Sequence, residues 1–246
     1  MRSQLTFSLL TILVTSCQLM AQFSADVEGA YIFSIPYNVV RIPSQGGTEI
    51  DIAHDLKPKT TIAYRARVNY TIGKRHVVSV LAAPLTIKSS GSVSNPVIYS
   101  DQAFAANAPL EATYKFNSYR LTYRYVFIQK EHIKIGAGLT GKVREANITL
   151  KSGNQSADFP DLGVVPLINF FVNWSPGNHW MFLLESDALV SSQGRAEDIF
   201  AGAAYKFSRL IAVKAGYRVL EGGADVKRNY NFSFINYACV GVLINY

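Results

Sequence analysis

The sequence predicts an all-β fold: a single antiparallel transmembrane β-barrel of ten strands, with eight as the alternative, behind an N-terminal targeting segment. Three observations carry this. Apolar and polar residues alternate with period two through most of the chain. The apolar face of that alternation is heavy in Tyr and Phe, as a membrane-interface girdle requires. Short and long connectors alternate between an even number of strand-like segments, which puts both termini at one end.

Composition narrows the field. The 246 residues include 24 Lys plus Arg against 17 Asp plus Glu, a formal net charge of +7. Charged residues make up 17%, below the roughly 25% usual in soluble domains, and there are fourteen Tyr, fourteen Phe and two Trp. Disorder, collagen-like repeats and coiled coils all need other compositions. The two cysteines, Cys17 and Cys239, can build neither a disulfide framework nor a multi-cysteine zinc site.

The chain begins as a secretory signal. Arg2 gives a positive start, Leu5 to Val14 is largely apolar, and no acidic residue precedes Asp26. The stretch falls short of the about 20 apolar residues that a membrane-spanning helix needs. Cleavage is expected near Ala21–Gln22, giving a signal peptide at 1–21 and a barrel domain at 22–246. Val14-Thr15-Ser16-Cys17 also resembles a lipobox, with Cys17 as the lipidated residue.

Strand-like segments follow near 25–41, 59–72, 76–88, 112–128, 133–150, 162–174, 179–190, 196–207, 209–220 and 231–246. The clearest are Ile62–Tyr70, where Tyr64, Ala66 and Val68 interleave with Arg65, Arg67 and Asn69, and Ser118–Phe127, where Tyr119, Leu121, Tyr123 and Tyr125 interleave with Arg120, Thr122 and Arg124. A helical period would scatter the arginines around a cylinder, whereas a strand collects them on one face. Short turns are expected at Gly73–Arg75, Gln129–His132, Ser175–Asn178 and around Ser208. Longer outer loops are expected at 42–58, 89–111, 151–161 and 221–230, with Ser191–Arg195 a shorter member of that set.

The end of the chain carries the most specific pattern. Apolar Val240, Val242, Ile244 and the terminal Tyr246 alternate around Gly241. This resembles the C-terminal insertion signal of outer-membrane barrels, departing from it at Cys239 and Ile244. With the blocks Gly194–Asp198 and Gly216–Asp225, the mature chain resembles the small bacterial outer-membrane β-barrel proteins, the OmpA-like and porin-like group. The resemblance implies a bacterial outer-membrane location, and as partners the outer-membrane lipids and the barrel-assembly machinery.

Parity along the strands also assigns a lumen. Arg65, Arg67, Arg120, Arg124, Lys134, Lys214 and Arg218 alternate to the same face as Glu28, Glu185, Asp187 and Asp198. In a narrow barrel such charges must pair, because isolated buried charges are costly. A salt-bridged plug is expected, with a narrow anion-favouring passage as the other reading.

No catalytic, cofactor or metal constellation stands out. Gly136-Ala137-Gly138-Leu139-Thr140-Gly141 fits a dinucleotide fingerprint in letters, but no helix signal follows it, and lumen-facing glycines that leave room for long charged side chains explain it. His54 lies near Ser44, Asp51 and Asp55 in the first outer loop, the residue types of a hydrolase, with nothing to fix their geometry. The bases are spread over turns, lumen and loops, so no nucleic-acid partner is expected. The expected role is non-enzymatic: structural, adhesive or weakly permeable. A lipid-modifying enzyme and a soluble exported ligand-binding barrel are the alternatives; no cofactor is implied and the sequence identifies no small-molecule ligand.

Overall fold

A computed structural model describes residues 22–245. The expected signal peptide at 1–21, with Cys17, and Tyr246 lie outside the described residues. Fifteen strands occur: β1 (Gln22–Arg41), β2 (Ile50–Asp51), β3 (Leu56–Pro58), β4 (Ile62–Ile72), β5 (His76–Ala83), β6 (Thr86–Gly91), β7 (Val97–Tyr99), β8 (Gln102–Phe104), β9 (Leu110–Gln129), β10 (Ile133–Ser152), β11 (Gln155–Trp174), β12 (Trp180–Ser191), β13 (Gly194–Lys206), β14 (Ile211–Val226) and β15 (Asn229–Asn245). Among the described residues there is no helix.

Ten strands form the wall, each antiparallel to its neighbours, in the order β1, β4, β5, β9, β10, β11, β12, β13, β14, β15. The last returns to the first, from Ser24 opposite Asn245 to Arg41 opposite Tyr230. Closure removes the edges that hydrocarbon does not tolerate. β6 continues the β5 wall strand, since both pair with β9. The break between them falls at Pro84, which has no N–H to give the ladder, and the ladder resumes where Phe116 N donates to Leu85 O at 2.8 Å.

The two faces follow the sequence parity. Outward rows carry exposed Val27, Tyr64, Val68, Leu121, Tyr123, Leu139, Ile168 and Val240, while the inward rows carry buried Arg65, Arg67, Arg120 and Arg124. A soluble ligand-binding barrel would show the reverse. Aromatics gather toward both borders of the apolar band. Near the termini, Phe23 packs on Tyr70 at 4.8 Å, Trp174 on Phe182 at 5.2 Å and Trp180 on Tyr205 at 5.2 Å, while Phe33 and Tyr217 lie 6.1 Å apart at the other border. Phe23 and Phe33 are both exposed on β1. Their separation is roughly 33 Å along the strand, which a tilt of about 40° reduces to roughly the 25 Å of an outer-membrane apolar band.

The connectors at the termini end are short, as expected, but the loop end differs from the sequence reading. The segments 151–161 and 221–230 are not loops. β10 and β11 pair to their tips, Ser152 opposite Gln155, around Gly153 at φ +56°, and β14 and β15 pair until Val226 opposite Asn229. The polar residues there mask the alternation because their outward rows stand above the hydrocarbon, while Ile148, Leu150 and Ala157 still point inward and are buried.

The two connectors that are long fold back over the barrel mouth. Ile42, Ile50, Ile52 and Leu56 from the first, and Val97, Tyr99 and Phe104 from the second, form one apolar cluster with Val40, Leu110, Tyr114, Ile148 and Leu150 of the wall. Tyr99 is fully buried, and its hydroxyl donates to Ile148 O at 2.8 Å. The upper barrel is therefore filled as a soluble core is, and the lower barrel is lined by charge.

Candidate functional site

The inward rows below the apolar cluster bring together charges from seven wall strands. β1 supplies Asp26 and Glu28, β4 Arg65 and Arg67, β9 Arg120 and Arg124, and β10 Lys142. β12 supplies Glu185 and Asp187, β13 Asp198, and β14 Lys214 and Arg218. Asp198 is the hub. It accepts from Arg65 Nη1 at 2.7 Å, Arg120 Nη2 at 2.6 Å and Arg218 Nη1 at 2.6 Å. Arg218 also grips Glu28 through Nε at 2.8 Å and Nη2 at 2.9 Å, and Lys214 Nζ joins Glu28 at 2.6 Å to Asp26 at 2.8 Å.

On the other side Arg120 Nη1 donates to Asp187 at 2.8 Å. Asp187 also accepts from Thr140 Oγ1 at 2.8 Å and Asn169 Nδ2 at 2.7 Å, and Asn169 accepts Arg124 Nε at 2.7 Å. Arg67 and Glu185 pair beside this chain at 2.6 Å. Opposite charges from strands far apart in sequence thus satisfy each other across the lumen, as a low-dielectric site demands.

Neighbouring side chains fit this belt. Phe200 lies against Gly202 and Gly216, where a Cβ would come within 2.6 Å and 2.8 Å of its ring. The ring face then meets Lys214 Nζ at 4.7 Å and Arg218 Cζ at 5.0 Å, geometry that favours a cation over an aromatic face. Gly241 does the same for Lys214, whose Cε would lie 2.9 Å from a Cβ there. Gly136 leaves room for the Arg124 stem, which would lie 3.2 Å from a Cβ at that position. The fingerprint-like run sits wholly within β10 with no helix after it.

Ten of the eleven lumen residues expected from sequence meet in the belt; Lys134 does not. It shares the row of Lys142 but sits exposed near the termini end and makes no ion pair among the described residues. Lys142 takes the deeper place, its Nζ 4.7 Å from the centre of the Phe116 ring. Asp26 and Lys142 were both legible by parity, Asp26 two residues before Glu28 and Lys142 eight after Lys134. In the C-terminal pattern Val240, Val242 and Ile244 are exposed on the outer face and Gly241 is buried. In the first outer loop His54 Nδ1 meets Asp51 Oδ2 at 2.9 Å, while Asp51 also accepts Asn38 N and Ala53 N as a turn residue does; no serine hydroxyl joins the pair among the described residues.

Space changes sharply along the axis. Toward the termini a vestibule of about 700 Å³ opens, lined by Arg67, Lys74, Arg124, Lys134, Glu185 and Arg209 among others. At the belt the free space is about 40 Å³, between Glu28, Arg65, Arg120, Asp198 and Arg218 and the apolar Leu85, Phe116 and Leu220. That is room for a water or two. Above it a second cavity, of about 480 Å³, lies between β10, β11 and the turns at 192–193 and 227–228.

No family model and no curated protein matches the chain. Solved structures do. The outer membrane protease OmpT from Escherichia coli aligns over 92% of this chain and 97% of its own, at 8% identity and a TM-score of 0.57. The translocator domain of the autotransporter NalP from Neisseria meningitidis covers 99% and 95% at 11% identity and a TM-score of 0.45. Ail, the attachment invasion locus protein of Yersinia pestis, covers 92% and 99% at 10% identity and a TM-score of 0.41. The likeness to OmpT is one of architecture. Ten closed antiparallel strands, an apolar aromatic-bordered exterior and a charged belt across the lower interior make this chain, in fold, a small β-barrel of the bacterial outer-membrane kind.

Proposed function

We propose that this protein is an integral, non-enzymatic barrel of the bacterial outer membrane whose lumen is closed to solutes. In this reading residues 1–21 direct export, the C-terminal pattern directs insertion, and the partners are outer-membrane lipids and the barrel-assembly machinery. The observation that carries the closed lumen is the set of ion-paired side chains packed across it where three arginines hold Asp198, with only about 40 Å³ of free space beside them. A conducting lumen needs a continuous wet path, and ions would have to displace fixed pairs whose removal leaves buried charge behind.

The barrel reconstituted into planar bilayers should give no steady conductance steps above the protein-free baseline. A steady ohmic current from the unmodified chain would overturn the closed-lumen reading. The insertion reading has its own test. Deleting Asn245-Tyr246 should leave export across the inner membrane intact while strongly reducing assembly into the outer membrane, scored by heat-modifiable gel mobility of the membrane fraction. Replacing Tyr246 by Phe should be nearly silent, because the aromatic ring is the element needed at the interface. Normal assembly of the truncated chain would remove the terminal pattern from its proposed role.

A further inference from the structure

The wall is not laddered to its full height everywhere. β11 pairs with β10 from Gln155 to Trp174, but with β12 only from Ile168 to Trp174. Residues 155–167 thus have no ladder partner on their β12 side, and the facing residues 189–191 pair only with β13. Above this gap the chain bridges again, where Arg228 of the β14–β15 turn stands over the Phe159 ring of β11 at 5.4 Å. The result is a side window, bounded below by the ladder and above by that contact, and it opens onto the cavity of about 480 Å³.

Three observations say what suits the window. First, the outward side chains flanking it are among the most exposed large apolar residues of the chain: Val164 at 76%, Leu162 at 73% and Val190 at 69%. They continue the lipid-facing band at its loop-end border. Second, the cavity combines apolar Val165, Pro166 and Leu189 with basic Arg144, Arg195 and Arg228. Arg144 is paired with Asp161 and Arg195 with Glu221, while Arg228 has no carboxylate in ion-pair range among the described residues. Third, Pro160 and Pro166 fall on the open stretch. They are six residues apart and so share one side of the strand, and the β10 ladder runs past both without a register shift, so the missing N–H groups fall on the open side. An edge lacking donors there is a poor template for an added peptide strand.

We infer that this window is a binding site for an anionic membrane lipid, with its alkyl chain entering between β11 and β12 from the surrounding leaflet and its headgroup held by Arg228. An apolar passage continuous with the lipid face accepts the chain, and a guanidinium at the upper rim matches a phosphate at the headgroup level. The inference rests on the barrel lying in a membrane, but not on its lumen being closed.

The test uses the full barrel in phosphatidylcholine nanodiscs containing a small fraction of a long-chain alkyl phosphate with a photoactivatable group in its chain. Crosslinks should concentrate on 159–166 and 189–196, above the labelling of the rest of the apolar band. Arg228→Glu should lower labelling at the window by about tenfold, the worth of one charge-assisted hydrogen bond, and leave labelling elsewhere unchanged. The equivalent uncharged alcohol should label the window no more than the rest of the band. Even labelling around the barrel, or window labelling indifferent to Arg228→Glu, would overturn the inference. Heat-modifiable mobility of the variant separates these outcomes from a failure to fold, and loss of all labelling together with that mobility would indict the membrane-barrel reading itself.

Discussion

Asp198→Asn should destabilise the barrel by about 3–5 kcal/mol, the cost of breaking a buried ion pair from one side. The carboxylate is buried and accepts from three guanidinium groups. Without its charge, Arg120 retains Asp187 and Arg218 retains Glu28, but Arg65 loses its only ion-pair partner among the described residues. An unpaired guanidinium at that level has about 40 Å³ of free space beside it, too little to restore bulk hydration. Urea unfolding of the barrel in lipid vesicles measures the effect. Adding Arg65→Met should recover part of the loss, because the orphaned charge leaves with it, and the two changes should therefore be strongly non-additive. Glu221→Gln supplies the contrast. That carboxylate pairs with a half-exposed Arg195 at the loop end, where an ion pair is worth about 0–1 kcal/mol. Equal losses at Asp198 and Glu221 would mean that the belt is hydrated and that its burial does not govern stability.

Val27→Arg should cost about 2–4 kcal/mol, as a basic residue on the lipid face near the bilayer midplane does. Val27 is 53% exposed on β1, between the outward Phe23 and Phe33 that lie at the two borders of the band. Asn69→Arg, on the inward face of the neighbouring β4, should cost less. Asn69 faces the vestibule of about 700 Å³, where a longer side chain finds water, and what is lost is its bonding to Ser24 and Ser79 at 3.1 and 2.7 Å. Those bonds are worth about 1 kcal/mol each at most in such a wet place. Refolding yield and urea midpoints in vesicles compare the two variants. Indistinguishable effects would overturn the assignment of inward and outward faces of the wall.

The barrel architecture was legible because its signals are local. Side-chain parity repeats every two residues, so Tyr64 and Val68 separate from Arg65 and Arg67 with no knowledge of the partner strand. The number of strands follows from counting such runs, and the wall has ten. Parity also placed most of the belt, since a residue's face does not depend on which strand lies beside it. Two further signals are local in the same way: Asp26 and Lys142 share the rows of Glu28 and Lys134, while Pro160 and Pro166 each remove an N–H donor from one edge of β11.

Strands, their inward and outward faces and the sign of the charge on each face are thus properties of the sequence alone. Height along the barrel axis is not, because it depends on the register of every ladder around the closed wall. That register sets Lys142 and not Lys134 at the belt, and it brings Asp198 to Arg65 across 133 positions of sequence. Assembly of the wall also turns two long connectors inward, since the apolar residues of 42–61 and 92–109 find their burial only against Ile148, Leu150 and Tyr114. The side window has the same origin: a mismatch in height between β11 and β12 exists only once both strands have been fixed by their other neighbours.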